Sequence, residues 1–319
     1  MLMKKNIILY MVAVAGLVLA GCNKDLANPG SSSDEIQVTA SIGSLTKVAY
    51  DGDKSSFAKE DTIRVYAWTG DATEVPTWRV VNGVKNGFDG EVWTPKVQML
   101  WKTVVDPHYF LGIYPAPAQP IQSFTADPYV QKPMDYEASD LLIATNVAGV
   151  KASDGKVDLA FDHAMAKLQV NLNFRSEWNE TWGPVPAAEK VLVFAMAKFQ
   201  GTVDYLKKEI TATEQALPLS LTLHPTAATG YTYSFSNLII PQEAVVEIHV
   251  IVIDDDQNYR DFVYTHADKK GFSLTRGKVT SIGLKVGREQ IDLAGITVDD
   301  WAAGYTPTTD GEALDVNVL

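Results

Sequence analysis

Period-two alternation dominates this chain. Val246, Ile248, Val250 and Val252 share one side of the run 245–253, and Ile36, Val38, Ala40 and Ile42 share one side of 35–42, opposite Gln37, Thr39 and Ser41. An apolar side chain at every second residue defines a strand with one buried face. The same reading predicts strands at 63–68 (Ile63, Val65 and Ala67 inward, Arg64, Tyr66 and Trp68 outward), 109–114, 191–199, 217–223, 231–240, 259–264, 279–286 and 295–301, while 140–145 reads as a short apolar run. Across 157–174 a helix competes at 163–170, but the later alternation of Leu168, Val170, Leu172 and Phe174 favours strand. Pro115, Pro117 and Pro120 stop the run that ends at Tyr114, because proline cannot donate to a ladder. Prolines 128 and 133 mark a loop, 78–101 reads as irregular, and 202–215 reads as a short helix or a hairpin. Many short strands, close turn signals and almost no helical period predict an all-β fold of sandwiches.

The leader fixes the compartment. Lys4 and Lys5 precede an apolar run from Ile7 to Ala20, too short to span a membrane and of the length of a secretory signal. Leu19-Ala20-Gly21-Cys22 closes it and resembles a bacterial lipobox, in which the cysteine is acylated and becomes the first mature residue. Cys22 is the only cysteine of the 319 residues, so no thiol remains for a disulfide, a zinc site or catalysis. The body must be held by its core, which 46% hydrophobic residues can supply. The formal net charge of −12, about −14 once the leader lysines leave, and the lack of a basic stripe exclude nucleic acid as a partner. The predicted organisation is a signal peptide at 1–21, a flexible polar spacer at 22–34, an N-terminal β-sandwich at 35–177, a C-terminal β-sandwich at 178–304 and a tail at 305–319.

No pattern of catalytic residues stands out. His108, His163, His224, His249 and His266 show no ligand spacing, and His163 reads as a buried or half-buried, hydrogen-bonded side chain. Asp254-Asp255-Asp256 lacks the glycine and distal glutamate of a calcium loop and reads as a hairpin turn. Asp299-Asp300 has no partner for acid–base work. Trp68, Trp78, Trp93 and Trp101 are core or, alternatively, a sugar-stacking platform. No metal or cofactor is expected, and no enzyme activity.

Several stretches resemble, in order, the fimbrillin family of pilus subunits. They are Phe57-x-x-x-Asp61-x-Ile63-x-Val65-Tyr66, Tyr109-Phe110-x-x-Ile113-Tyr114-Pro115 and Asp140-Leu141-Leu142-x-Ala144. Phe161-x-His163-Ala164-Met165-Ala166-Lys167-Leu168-x-Val170 follows, then Gly277-Lys278-Val279-Thr280 and Ile296-Thr297-Val298-x-x-Trp301. The resemblance implies two tandem, transthyretin-like sandwiches and a structural role in a cell-surface fimbrium, with adhesion as its purpose. It implies export as an outer-membrane lipoprotein, then a cut in the loop after the first strand, and filling of the vacated groove by a neighbouring subunit's strand. The residue at the cut would be Lys47, although shaft subunits usually carry arginine there. The strand to be donated would be the alternating tail with Leu314, Val316 and Val318, which could equally be an edge strand of its own domain or disordered. Implied partners are other fimbrial subunits, the outer membrane through the lipid, and a surface receptor. The competing expectation is a surface glycan-binding lipoprotein that serves a carbohydrate importer; it requires several tryptophans exposed on one face.

Overall fold

The computed structural model describes residues 34–43, 56–132, 135–213, 215–245, 247–254, 258–266 and 271–300. The all-β class expected from the alternation is what the structure has. In chain order the first strands are β1 (Val38–Ile42), β2 (Thr62–Thr69), β3 (Val81–Phe88), β4 (Trp93–Pro95), β5 (His108–Tyr114), β6 (Asp127–Val130), β7 (Leu142–Val150) and β8 (Val157–His163). Then come β9 (Ala166–Phe174), β10 (Val191–Ala197), β11 (Gln200–Asp204), β12 (Glu209–Thr213), β13 (Leu217–Leu223) and β14 (Tyr233–Ile239). The last are β15 (Gln242–Val245), β16 (Glu247–Ile253), β17 (Tyr259–Thr265), β18 (Phe272–Leu274), β19 (Lys278–Val286) and β20 (Ile291–Asp300).

Among the described residues a seven-stranded sheet runs β1-β8-β7-β5-β2-β3-β4 and an eight-stranded sheet runs β17-β16-β10-β13-β14-β9-β19-β20. A three-stranded sheet, β12-β11-β6, and the pair β15-β18 complete the set. Each large sheet wraps its own apolar core: Val65, Phe110, Leu142 and Phe161 in the first, and Val170, Val193, Val250 and Ile282 in the second. The first sheet also buries its other face. Tyr66, Trp68, Leu111 and Ile113 pack with Val203 and Ile210 of the small sheet and with Leu238 and Val279 of the large one. This third core explains a departure from expectation. In β2 the outward set Arg64, Tyr66 and Trp68 is as buried as the inward set. Arg64 is tolerated because its guanidinium donates to the carbonyls of Pro117 (2.6 Å), Ala118 (2.5 Å) and Gly83.

Two local readings change, at 78–101 and at Pro128, and the open one at 202–215 resolves to a hairpin. The stretch 78–101 holds β3 and β4, not irregular chain. Its alternation is masked by a bulge opposite Val65–Tyr66 and by Gly83 at φ +68°, where a Cβ would lie 2.9 Å from the Tyr66 ring. The stretch 202–215 contains the β11–β12 hairpin, turning at Lys208 (φ +58°). Pro128 lies inside β6, tolerated because β6 is an edge strand. The strand 166–174, which precedes residue 177, sits deep in the second sheet, antiparallel to β14 and parallel to β19. Ala164 and Met165, both buried, carry the chain across from one sheet to the other within the shared core.

Candidate functional site: the seat of the first strand

β1 and β4 close the first sheet at its two ends, and β1 is the one whose ladder is parallel. β1 pairs in parallel with β8, from Val38 opposite Val157 to Ile42 opposite Phe161. Val157 N–H donates to Gln37 O at 2.8 Å, Gly43 N–H to Phe161 O at 2.7 Å, and the Thr39 hydroxyl to Asp158 Oδ1 at 3.0 Å. The other side is gripped only at its beginning. Glu35 bridges Leu100, Ile36 N–H donates to Met99 O (2.9 Å), and Trp101 N–H donates to Asp34 O (3.0 Å). The Trp101 indole donates to Glu35 O at 3.2 Å. Between β1 and β4 a cavity of about 240 Å³ remains, lined by Ile36, Val38, Trp93, Pro95, Met99 and Lys156.

The alternation read from sequence is what seats this strand. Ile36 (2% exposed) and Val38 (4%) plug the first core, with Ala40 and Ile42 half-buried behind them. Removing this strand would open the core beneath to water and leave the β8 edge unpaired. The grip at 99–101 was not legible in the sequence, since Met99 and Trp101 lie in a stretch without alternation. His108 props it: fully buried, its ring is met edge-on by Trp101 at 4.9 Å and accepts the Lys102 N–H at Nε2 (3.1 Å). Its Nδ1–H donates to Asp106 O at 3.0 Å, and burial pushes its pKa below the usual 6.5.

The other candidates fall as follows. Cys22, Lys47, Leu314, Val316 and Val318 lie outside the described residues, as does Trp301. His163 is nearly buried and donates from Nδ1 to Asp140 Oδ1 at 2.7 Å, which ties the 140–144 and 161–170 segments together at the sheet junction. Asp254 and Asn258 flank the β16–β17 turn, the Asn258 N–H donating to Asp254 Oδ1 at 2.8 Å. Among the described residues no group of His, Cys, Asp or Glu is placed to hold a metal ion. Trp68 (0%), Trp93 (7%) and Trp101 (8%) are buried, and only Trp78 (92%) of that set reaches solvent. They form no sugar platform.

A model of the fimbrillin-like family matches residues 46–301. The chain belongs to the fimbrillin-like family. It is 27% identical over 176 residues to a Bacteroides uniformis protein provisionally named fimbrium subunit Fim1C. That match covers 53% of this chain and spans 56% of the relative's length. Crystal structures of proteins provisionally described as cell adhesion proteins share the fold. One from Bacteroides ovatus has a TM-score of 0.62 at 15% identity, covering 85% of this chain and 99% of that one. Another, from Bacteroides uniformis, has a TM-score of 0.59 at 15% identity, covering 84% and 99%. The family match starts after β1 and stops before the tail, so both segments named for strand exchange lie outside the matched body.

Proposed function

We propose that this fimbrillin-like protein is a non-enzymatic subunit of a cell-surface fimbrium that assembles by exchanging β1 for a neighbour's strand. The observation that carries this reading is the seat of β1. It is an alternating apolar strand at a sheet end, held by one parallel ladder and a short clamp, over a core that cannot stay open in water. An extended apolar segment restores both the backbone pairing and the burial, which is the physical basis of strand addition. Lys47 follows Ile42 by five residues, so a cut there would free β1 from the body. The tail residues Leu314, Val316 and Val318 have the alternation that Ile36, Val38 and Ala40 use in the seat. Delivery would run through acylation at Cys22, where two acyl chains anchor stably and one does not. Cleavage would then release the lipid with β1; an uncut copy would keep its anchor in the outer membrane.

The test is cleavage of the purified precursor with a lysine-specific protease. The expected result is loss of a segment ending at Lys47, identified by mass, followed by polymer growth. A cut precursor that stays monomeric refutes the exchange reading. Deleting 313–319 is expected to stop growth, and unchanged fibres without those residues would remove the tail from its assigned part.

A further inference from the structure

We propose that the protein carries a separate binding site for an acidic saccharide at the end of the second sheet away from the first. The location follows from β9 and β19, which run in parallel from the shared core at Met165 and Val279 to Phe174 and Val286. Beyond those last residues a cavity of about 390 Å³ opens, within the range of small-ligand pockets. One wall is Pro184, Val185 and Pro186; the floor is the Trp178 ring with the Arg288 guanidinium stacked 4.1 Å from its centroid.

The wall belongs to 178–187, a stretch without strands that is nevertheless fixed at several points. Arg288 donates from Nε to Glu177 O (3.4 Å) and from Nη2 to Gly183 O, and its backbone N–H donates to Glu177 Oε1 (3.0 Å). The Trp178 indole donates to Val286 O (3.1 Å) and the Tyr233 hydroxyl to Pro186 O (2.7 Å). Asn179 Oδ1 accepts the N–H groups of Thr181 and Trp182 at 2.9 and 3.1 Å. Gly183 (φ +104°) admits no side chain, since a Cβ would lie 2.6 Å from Arg288 Nη2. A loop so anchored loses little further entropy when a ligand arrives.

The polar groups decide the ligand class. Lys190, Arg260 and Arg288 converge on this cavity in a chain of net charge −12, so the attraction for an anion is local. Arg260 is exposed and commits Nη1 to Arg288 O (2.9 Å), which holds the rest of its fork at the rim. Asp254 and Asn258 line the same cavity as a bonded pair, Asn258 donating from its N–H to Oδ1 (2.8 Å) and from Nδ2 to Oδ2 (3.2 Å), and their oxygens keep further lone pairs that can accept from hydroxyls. Trp182, 71% exposed, directly precedes the lining residue Gly183 on the same anchored loop and offers a flat apolar face to solvent. A carboxylate for the cations, hydroxyls for Asp254 and Asn258, and a ring face for Trp182 together describe a uronic or sialic sugar.

The probe is the full-length protein against glucuronate- and sialate-terminated oligosaccharides, each beside its neutral counterpart, with Kd read by calorimetry. Acidic sugars are expected to bind and neutral ones to bind far more weakly. Arg260→Gln is expected to weaken binding by about tenfold or more. Trp182→Ala is expected to weaken it as well, and Trp78→Ala to leave it unchanged. Equal binding of acidic and neutral sugars, full binding by Arg260→Gln, or preference for a carboxylate-ended peptide would overturn the proposal. Arg260→Gln is expected to polymerise normally, so failure here is distinguishable from failure of strand exchange.

Discussion

Shaving the buried face of β1 should release that strand while leaving the body folded. Ile36→Ala with Val38→Ala removes two side chains that are 2% and 4% exposed in the first core. Large-to-small change at a buried isoleucine costs about 3 kcal/mol, since the lost transfer energy adds to an incompletely collapsed cavity. The valine adds about 2 kcal/mol, from roughly 0.8 kcal/mol per buried methyl plus its own cavity. The two lie side by side on one face, so the sum is taken as about 4–5 kcal/mol. The backbone bonds to β8 and to 99–101 are broken on opening in both proteins, so they cancel. Hydrogen exchange at residues 36–42 reads local opening directly, and it should accelerate by roughly a thousandfold. Amides of β9 and β19, in the second core, should keep their protection. Ser41→Ala, on the exposed face, should change exchange little. Unaltered protection at 36–42 in the double variant would show that β1 is not held by its buried face, and the seat would lose its meaning.

Other outcomes follow from the same geometry. His108 is held neutral by its site, so its folded pKa lies below the unfolded value of 6.5. Its contribution is complete above 6.5 and is lost as pH falls through the folded value. Thermal melts should therefore show the wild type losing stability between pH 7 and 5 more steeply than His108→Gln; parallel slopes would contradict this. Gly112→Ala places a Cβ 2.6 Å from Phe161 Cζ and 3.2 Å from Leu159 Cδ1, and urea titration should show a loss of about 1–3 kcal/mol. Trp93→Ala removes a ring stacked on Phe88 at 4.8 Å and met edge-on by Phe57 at 5.0 Å. It should cost about 3–5 kcal/mol in the same titration, against about 0.5 or less for Trp78→Ala.

Alternation determined most of the fold's parts. A period of two places strands wherever one face meets a core and the other meets water, so β1, β8, β10 and β16 could be read directly. The signal fails where that premise fails. β2 is buried on both faces because a second half of the chain covers it, and nothing local in Arg64, Tyr66 and Trp68 announces such a cover. β3 fails for the opposite reason: glycines and asparagines carry little apolar weight, and a bulge shifts the register.

The same division holds at the seat of β1. Sequence alone determined that 35–42 is an amphipathic strand, because side-chain direction along an extended backbone is set by covalent geometry. Only the tertiary structure decided that it closes a sheet, in parallel with β8 and clamped by 99–101. Those partners lie more than a hundred and more than sixty residues away in sequence. The choice among distant edges is made by the summed burial of many residues, which no local pattern records. The distal cavity shows this most clearly. Trp178, Lys190, Asp254, Arg260 and Arg288 come from four separate stretches, and only the curled second sheet brings them together.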